Sequence, residues 1–282
     1  MVLGPFALAL LISSSGFADR LYESGEYAAA AVEYERALWD AGDTLSLPLE
    51  ALRLARCWQE CADPGRALAM YDFLSSRLPP GYWRGCALMG AGSVCEQVGN
   101  LGRARQDYLA ASGEFADSCM RERCEVLAAL CTGRSGDWQG AAEDLEEVPC
   151  ASLEGARPRL ASIARSAARP PRRSAFLCAA ASAVLPGAGQ AACGHWMDGA
   201  SSLLMTAGTG ALFAMSLHDG DRAEQFLFGW LALSFYGGGI LGGARAADRW
   251  NEARMQAILS EVPEVLARYA CEPPAAAPLP TD

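Results

Sequence analysis

Two histidines are the residues of this chain best suited to general acid or base chemistry. His195 lies in a short GHWMDG turn beside Asp198, and His218 lies in an HDGDRAE loop beside Asp219. Catalysis by either imidazole needs a positioned nucleophile or a second acid, and no Gly-x-Ser-x-Gly elbow or comparable motif accompanies them. A polar turn between apolar segments explains both residues. We therefore predict no catalytic residue and expect that the protein is not an enzyme.

Glycines and cysteines supply two further patterns to test for cofactor or metal binding. Gly187-x-Gly189-x-x-Ala192 matches the loose dinucleotide fingerprint, but it lacks a preceding strand, a following βαβ unit and an acidic residue about twenty positions on. Cys57 and Cys61 are one helical turn apart, but the chain contains no paired Cys-x-x-Cys knuckle. We predict neither a cofactor nor a metal.

The stretch SAVLPGAGQ interrupts an apolar segment with residues that a membrane helix avoids. Pro186 removes a backbone hydrogen bond, Gly187 and Gly189 weaken a helix, and Gln190 is polar. In lipid such a break persists only where protein or water satisfies the freed backbone groups. We predict that a helix enters the membrane, turns here and packs Gln190 against other helices through a hydrogen bond. The alternative is that the stretch lines a polar pocket for a small solute or a lipid.

Three apolar segments surround this stretch and would hold it in place: Phe176–Cys193, Ala200–Leu217 and Phe226–Gly243. Each is close to the roughly 20 residues that a helix needs to cross a bilayer. The second and third contain no charged residue, so they are the strongest candidates for spans. We predict a membrane module over residues 175–246 with two or three apolar helices.

Glycines in the third segment form small-xxx-small pairs, Gly238 with Gly242 and Gly239 with Gly243. Such pairs permit close helix contact in membranes. We expect this face to receive the broken first helix.

A 37-residue repeat organises the chain before the apolar segments. Small residues recur at this interval and aromatic residues follow four positions later, at Ala30, Ala67, Ala104 and Ala141 and at Tyr34, Tyr71 and Tyr108, with Leu145 in the fourth copy. Each copy has the pattern of a helix, a turn and a second helix, with the small and aromatic residues on one face of the second helix. We predict that these residues pack pairs of helices over residues 19–150.

The repeats resemble the tetratricopeptide repeat, most literally at Gly25, Tyr27, Ala30, Tyr34 and Ala37. The interval of 37 departs from the roughly 34 residues of that family. The resemblance implies a curved solenoid with a concave surface for binding or scaffolding. A rigid spacer is the alternative, because a repeat architecture by itself names no ligand.

The repeat register places several cysteines on neighbouring leading helices: Cys57 near Cys95, Cys95 near Cys131, and Cys86 near Cys124. In an oxidising compartment such pairs can form disulfides. The alternative is that cysteine serves as a small buried apolar residue.

Charge is distributed unevenly along the chain. Residues 19–150 hold 22 acidic and 12 basic side chains, whereas residues 151–174 hold one acid and six arginines. The acidic part repels phosphates, which argues against nucleic acid as a partner. The basic part is predicted to be a linker helix whose arginines are attracted to anionic lipid headgroups.

The remaining segments complete the predicted organisation. Residues 1–18 have an apolar core and small residues that fit a secretory signal cleaved after Ala18. Residues 247–270 have the pattern of an amphipathic helix that is interrupted near Pro263. The Pro-rich residues 271–282 are predicted to form a disordered tail.

The whole chain resembles an uncharacterised bacterial membrane-protein family with a signal peptide, tetratricopeptide-like repeats and a membrane module that begins Ser-x-x-Leu-Pro-Gly-x-Gly-Gln. Ser182–Gln190 match that motif, and FYGGGILGGARAADRWN at Phe235–Asn251 matches the end of the module. The resemblance implies this architecture and no particular activity.

These patterns together predict an all-α protein, a helical-hairpin solenoid followed by a small transmembrane helical module. We expect a non-enzymatic, membrane-anchored scaffold or adaptor that binds a protein partner through its repeats in envelope assembly. The expected location is a bacterial inner membrane, with the lipid bilayer around the module and the repeats extracytoplasmic. The six arginines between 157 and 173 favour the opposite orientation. No small-molecule substrate is identified.

Overall fold

The computed structural model describes residues 16–147 and 155–268, and their regular structure is helical with no strand in those ranges. Contacts divide the chain into two compact units. We name residues up to Ala168, with those from Val262, the hairpin unit, and Arg169–Glu261 the apolar unit.

The hairpin unit is a succession of helices, and from α2 to α9 each helix packs against the next. Its helices are α1 (residues 16–23), α2 (Tyr27–Ala41), α3 (Pro48–Glu60), α4 (Pro64–Arg77), α5 (Tyr82–Gln97), α6 (Leu101–Glu114), α7 (Ser118–Arg134), α8 (Trp138–Glu147) and α9 (Ala156–Ala168). A single 3-10 turn, Thr44–Ser46, lies between α2 and α3.

The turn inside each repeat has a left-handed backbone position at the same place in the register. The φ angles are 80° at Gly25, 60° at Ala62, 81° at Gly99 and 114° at Gly136. Glycine adopts this conformation without steric cost, whereas alanine does not. The 37-residue interval therefore marks a position that requires left-handed backbone, and Ala62 adopts this conformation under strain.

An N-cap follows this turn in three repeats. The side chains of Asp63, Asn100 and Asp137 accept hydrogen bonds from backbone N–H groups in the first turn of α4, α6 and α8. Such caps satisfy donors that the helix itself leaves free. In these three hairpins the second helix therefore begins where the sequence places an Asp or Asn, whereas α2 begins after Glu26 without a side-chain cap.

The repeated small and aromatic residues lie in the core of the hairpin unit. All four alanines are 0% exposed, and the aromatic positions are nearly as buried, at Ala30, Ala67, Ala104, Ala141, Tyr34, Tyr71 and Tyr108. On α5, Gly90 lies against the Tyr71 ring and Gly92 against the Tyr108 ring. The hairpins thus pack large rings into space left by small residues.

The edges of the hairpin unit differ from the predicted boundaries. Ala18 is buried in the core with α1 around it, so cleavage after Ala18 would cut this helix; residues 1–15 of the predicted signal lie outside the described part. α9 packs against α8, and the division between units falls after Ala168 rather than after residue 150. The predicted linker helix is therefore part of the hairpin unit.

The apolar unit contains α10 (Ala175–Val184), α11 (Ala188–Ala192), α12 (Trp196–Asp219) and α13 (Arg222–Leu259). A last helix, α14 (Glu261–Arg268), follows; the predicted tail at 271–282 lies outside the described residues. By length and composition, α12 and the helix that starts at Arg222 can each cross a membrane.

α13 corrects the predicted boundary at residue 246. The third apolar segment and the first part of the predicted amphipathic helix, from residue 247 to Leu259, belong to one helix of 38 residues, about 57 Å long. This exceeds the roughly 30 Å hydrocarbon core of a bilayer. The hydropathy changes near residue 246, but the helix itself ends only at Leu259.

Candidate functional site

The apolar segment that contains Pro186 is a broken helix. α10 ends at Val184, Leu185 is extended, and Gly187 has a φ of +88°. Proline disfavours helical backbone in the residue before it, which explains Leu185. α11 then doubles back, with Gly189 packed against the backbone of α10 at Cys178.

Gln190 closes a buried polar network at the centre of the unit. Its Oε1 accepts a hydrogen bond from Ser182 Oγ at 3.0 Å, and its Nε2 donates to the carbonyl oxygen of Gly239 at 3.1 Å. Ser182 Oγ in turn accepts from the Gly189 N–H at 3.0 Å. Gln190 is only 4% exposed. Each end of its amide has a protein partner, so the network joins α10, α11 and α13.

The glycines of α13 contribute unequally to this contact. A methyl group on Gly243 would lie 2.6 Å from Ser182 Oγ, and one on Gly242 would lie 2.5 Å from Gln190 Nε2. A methyl group on Gly238 would meet nothing within 4 Å. The expected role of Gly238 in the contact is therefore wrong, because its position on the helix turns it away from α10 and α11.

One end of the apolar unit is polar. The Arg173 guanidinium lies 4.5 Å from the centre of the Trp250 ring, and the Asn251 amide bonds the backbone N–H and C=O of Arg173 at 2.8 and 3.0 Å. Arg249 lies 3.6 Å from the Asp198 carboxylate. The starts of α10 and α12 therefore lie at the same end of the unit as the middle of α13. The chain leaves this end along α10 and has returned to it where α12 begins.

His195 lies at the start of α12, and His218 lies near the end of the same helix. His195 Nδ1 is 3.9 Å from Asp198 Oδ2, and both side chains are more than one-third exposed. His218 is exposed in the last turn of α12. Within the described ranges, no cluster of three His, Cys, Asp or Glu side chains is suited to a metal ion.

A groove of about 600 Å³ opens on the hairpin unit. Its lining includes three sets of residues on α3, α5 and α7 whose members are spaced by the 37-residue interval. The sets are Leu49, Cys86 and Arg123; Arg53, Gly90 and Leu127; and Arg56 and Ser93. Positions 49, 53 and 56 lie on one face of a helix. The groove is thus formed by equivalent faces of successive leading helices. On the leading helices the register predicted only the positions of cysteines, Cys86 among them, and the other lining residues were missed although the same interval identifies them.

Aromatic side chains form part of the groove lining. Tyr22, Tyr71, Tyr82, Trp83 and Tyr108 all line it. Burial raises the pKa of Tyr82 to about 12 and that of Cys86 to about 11. These groups are therefore uncharged at neutral pH, and the fixed charges of the lining come from its arginines and one glutamate.

An acid–tyrosine–arginine contact supports one end of the groove. The Tyr34 hydroxyl donates to Asp19 Oδ1 at 2.7 Å, and the same carboxylate oxygen accepts from Arg53. Burial, reinforced by the Asp19 carboxylate, raises the pKa of Tyr34. The hydroxyl therefore stays a donor and holds Asp19, which orients Arg53.

A second contact of the same kind supports the other end. The Tyr108 hydroxyl donates to Glu96 Oε2 at 2.9 Å, and Arg134 pairs with the same carboxylate. Burial raises the pKa of Tyr108, as does the nearby Glu96. The carboxylates are compensated within the unit, so the net charge of the groove lining is positive within an acidic protein.

Of the two alternatives for the cysteines on the leading helices, the disulfide pairs do not form, and the use of cysteine as a small buried apolar residue is confirmed. Five cysteines named in those pairs are free, Cys57, Cys86, Cys95, Cys124 and Cys131. They fill the core as small apolar side chains, and burial raises the pKa of the Cys124 thiol to about 12, which makes it unreactive. Cys119, which belongs to none of the predicted pairs, is disulfide-bonded.

Comparison of the chain with protein-family models, with curated proteins and with solved structures gives no match. The groove and the polar network are the two features of the described residues that point to a function.

Proposed function

We propose that the protein is a non-enzymatic, membrane-anchored scaffold or adaptor that binds a protein partner in the groove of the hairpin unit, in envelope assembly. The observation that carries this proposal is the groove itself, because three successive leading helices present equivalent positions to it. A surface repeated along the chain suits an extended peptide segment, whose side chains also repeat.

The tetratricopeptide-like solenoid is part of this proposal. Support comes from packing between consecutive helices, from the contact of α3 with α5, and from the common left-handed turns. A solenoid brings leading helices side by side, and its inner surface is where an extended partner gains the most contact.

Anchoring by the apolar unit is the second part. In the most apolar 18-residue stretch of α12 only 6% is buried, and in that of the helix from Arg222 only 11% is buried. Exposed apolar surface of this extent marks contact with a membrane or another protein. We assign it to the lipid bilayer, because these stretches have the length of a span and at most two charged residues.

Handling of a small solute or lipid at Pro186–Gln190 is the weaker candidate. A binding pocket there would need polar groups directed at a ligand. The Gln190 amide is instead engaged by Ser182 and Gly239, and these bonds hold helices together.

The proposed orientation places the hairpin unit outside the cytoplasm of an inner-membrane protein. The disulfide at Cys119 supports this side, because disulfides persist in oxidising compartments. Arg173 and Arg249 lie at one end of the apolar unit. Arginines beside a span favour the cytoplasmic side, so these two favour a cytoplasmic location of that end. We give the disulfide more weight, since long domains are translocated largely regardless of charge. Reporter fusions at residues 150 and 255 test the orientation, and cytoplasmic reporter activity at 150 contradicts it.

Site-specific crosslinking tests the binding role. A photoreactive amino acid at Met89, which lines the groove, is expected to capture a discrete partner in intact cells. The matched control is the same amino acid at Val32, an exposed position on α2 outside the groove. Equal capture at both positions contradicts the groove as the binding surface.

A second pair of variants separates the two candidate functions. Arg123→Glu reverses a charge in the groove and is expected to abolish the crosslink from Met89. Gln190→Leu removes the polar network and is expected to leave that crosslink intact. Loss of the crosslink in the Gln190 variant alone, at equal protein level, favours the solute or lipid function.

A further inference from the structure

Cys178 and Cys193 are both free in the structure, and they form a close pair of thiols inside the apolar unit. Their Sγ atoms are 3.6 Å apart, and the residues are 8% and 5% exposed. They share a small core with Ala246 and Ala247, against which Trp250 also packs. Neither sulfur needs a large movement to reach the other, because a disulfide bond of about 2.05 Å requires an approach of about 1.5 Å.

The positions of the two cysteines in the chain make this contact specific. Cys178 lies in the first turn of α10, and Cys193 directly follows α11. The backbone of Gly189 packs against the Cys178 carbonyl, which brings the end of α11 beside the start of α10. The contact therefore follows from the same turn that places Gln190.

The chemistry of the surroundings favours a bond between these two sulfurs. Cys178 and Cys193 are the only cysteines between residues 169 and 261. Cys119 is already disulfide-bonded, which indicates an oxidising compartment for the folded chain. The pair also lies near Trp250, at the polar end of the unit.

We propose that Cys178 and Cys193 are joined by a disulfide in the mature protein. The oxidant is a protein disulfide of the thiol-oxidoreductase class. The thiolate of one cysteine attacks that disulfide to give a mixed disulfide, and the second thiolate displaces the oxidoreductase sulfur. Two electrons and two protons leave the cysteine pair, and the oxidoreductase is released as a dithiol.

The bond closes a loop that contains the Pro186 turn and the whole Gln190 network. A crosslink of this kind restricts the unfolded chain and so stabilises the folded loop. It would fix α11 against α10 at the polar end, while Gln190 and Ser182 fix it at the centre.

Mass spectrometry of the full-length protein gives a direct test. Cells are treated with N-ethylmaleimide before lysis, and the protein is purified from membranes in detergent and digested with trypsin without reduction. Because the chain has no lysine and no arginine between 173 and 222, both cysteines fall on one peptide, residues 174–222. We expect this peptide two hydrogen atoms lighter than its dithiol form and unmodified by maleimide. A peptide that carries two maleimides, or one joined to another cysteine, overturns the proposal.

A matched variant tests the stabilising role. Reduction is expected to lower the melting temperature of the wild-type protein in detergent by more than that of Cys193→Ala. The Cys119 disulfide is present in both proteins, so the difference between the two shifts isolates the Cys178–Cys193 bond. Equal shifts on reduction contradict a disulfide in the folded protein.

Discussion

The hairpin unit and the apolar unit differ most in what they expose. The hairpin unit buries alanine, tyrosine and leucine, with Glu122 among them, and its arginine–carboxylate pairs are exposed or half-buried. The apolar unit buries Ser182, Gln190 and several glycines, while Leu204, Phe226 and other large apolar side chains are exposed. The exposed apolar side chains of the apolar unit fit the proposed contact with lipid.

If the apolar unit lies in lipid as proposed, different forces stabilise each of the two units. Removal of apolar area from water stabilises the hairpin unit. Lipid offers no such gain, so helices in a membrane depend on close packing of small residues and on hydrogen bonds. Glycine has a different function in each unit: Gly90 makes room for a ring, whereas Gly187 and Gly189 make room for backbone.

The largest expected effect is that of Gly187→Ala. The left-handed φ of +88° costs an alanine about 1–2 kcal/mol, and its methyl group would overlap the backbone carbonyl of Gly199. Overpacking against a backbone that cannot move adds about 1–3 kcal/mol, so we expect a loss of about 3 kcal/mol in unfolding free energy. Thermal or denaturant unfolding in detergent measures it.

Gly194→Ala is the control, because Gly194 has a φ of +85° and no neighbour within 4 Å of a methyl group. It carries only the conformational cost of about 1–2 kcal/mol. Equal losses at 187 and 194 would show that the close approach to Gly199 does not occur.

Gly90→Ala is expected to have a smaller effect, since the new methyl group meets the Tyr71 ring, which can shift. We expect a loss of about 1–2 kcal/mol after the gain in helix propensity is included. Gly102→Ala, with no neighbour within 4 Å, gains stability up to about 1 kcal/mol. Chemical unfolding followed by circular dichroism compares them. A stabilised Gly90 variant would exclude the ring contact.

Ala62→Gly is expected to have the smallest effect and the opposite sign. Relief of the left-handed strain at φ 60° exceeds the entropy that glycine adds to the unfolded chain, with a net gain of about 0.5 kcal/mol. Gly99→Ala at the equivalent position should lose about 1 kcal/mol. The same unfolding experiment serves for both. A gain at both positions would mean that the turns are not equivalent.

Sequence periodicity predicted much of the fold, because its signals are local. The alanine and tyrosine positions and the break at Pro186 each reflect a backbone or packing requirement within one hairpin. The continuity of α13 was missed, since hydropathy changes along a helix without ending it.

Contacts between distant segments were harder to predict. The wrong role for Gly238 arose because two overlapping glycine pairs look alike until the facing helix is placed. The groove depends on the side-by-side arrangement of α3, α5 and α7. The pairing of Cys178 with Cys193 depends on the path of the turn between them.

Membrane fractionation tests the central claim that the apolar unit lies in lipid and anchors the hairpin unit. Cells that produce the full-length protein are lysed without detergent, and the membranes are sedimented and washed with alkaline carbonate. We predict that the protein stays in the pellet and is released only by detergent. A folded monomer in the high-speed supernatant would contradict the account.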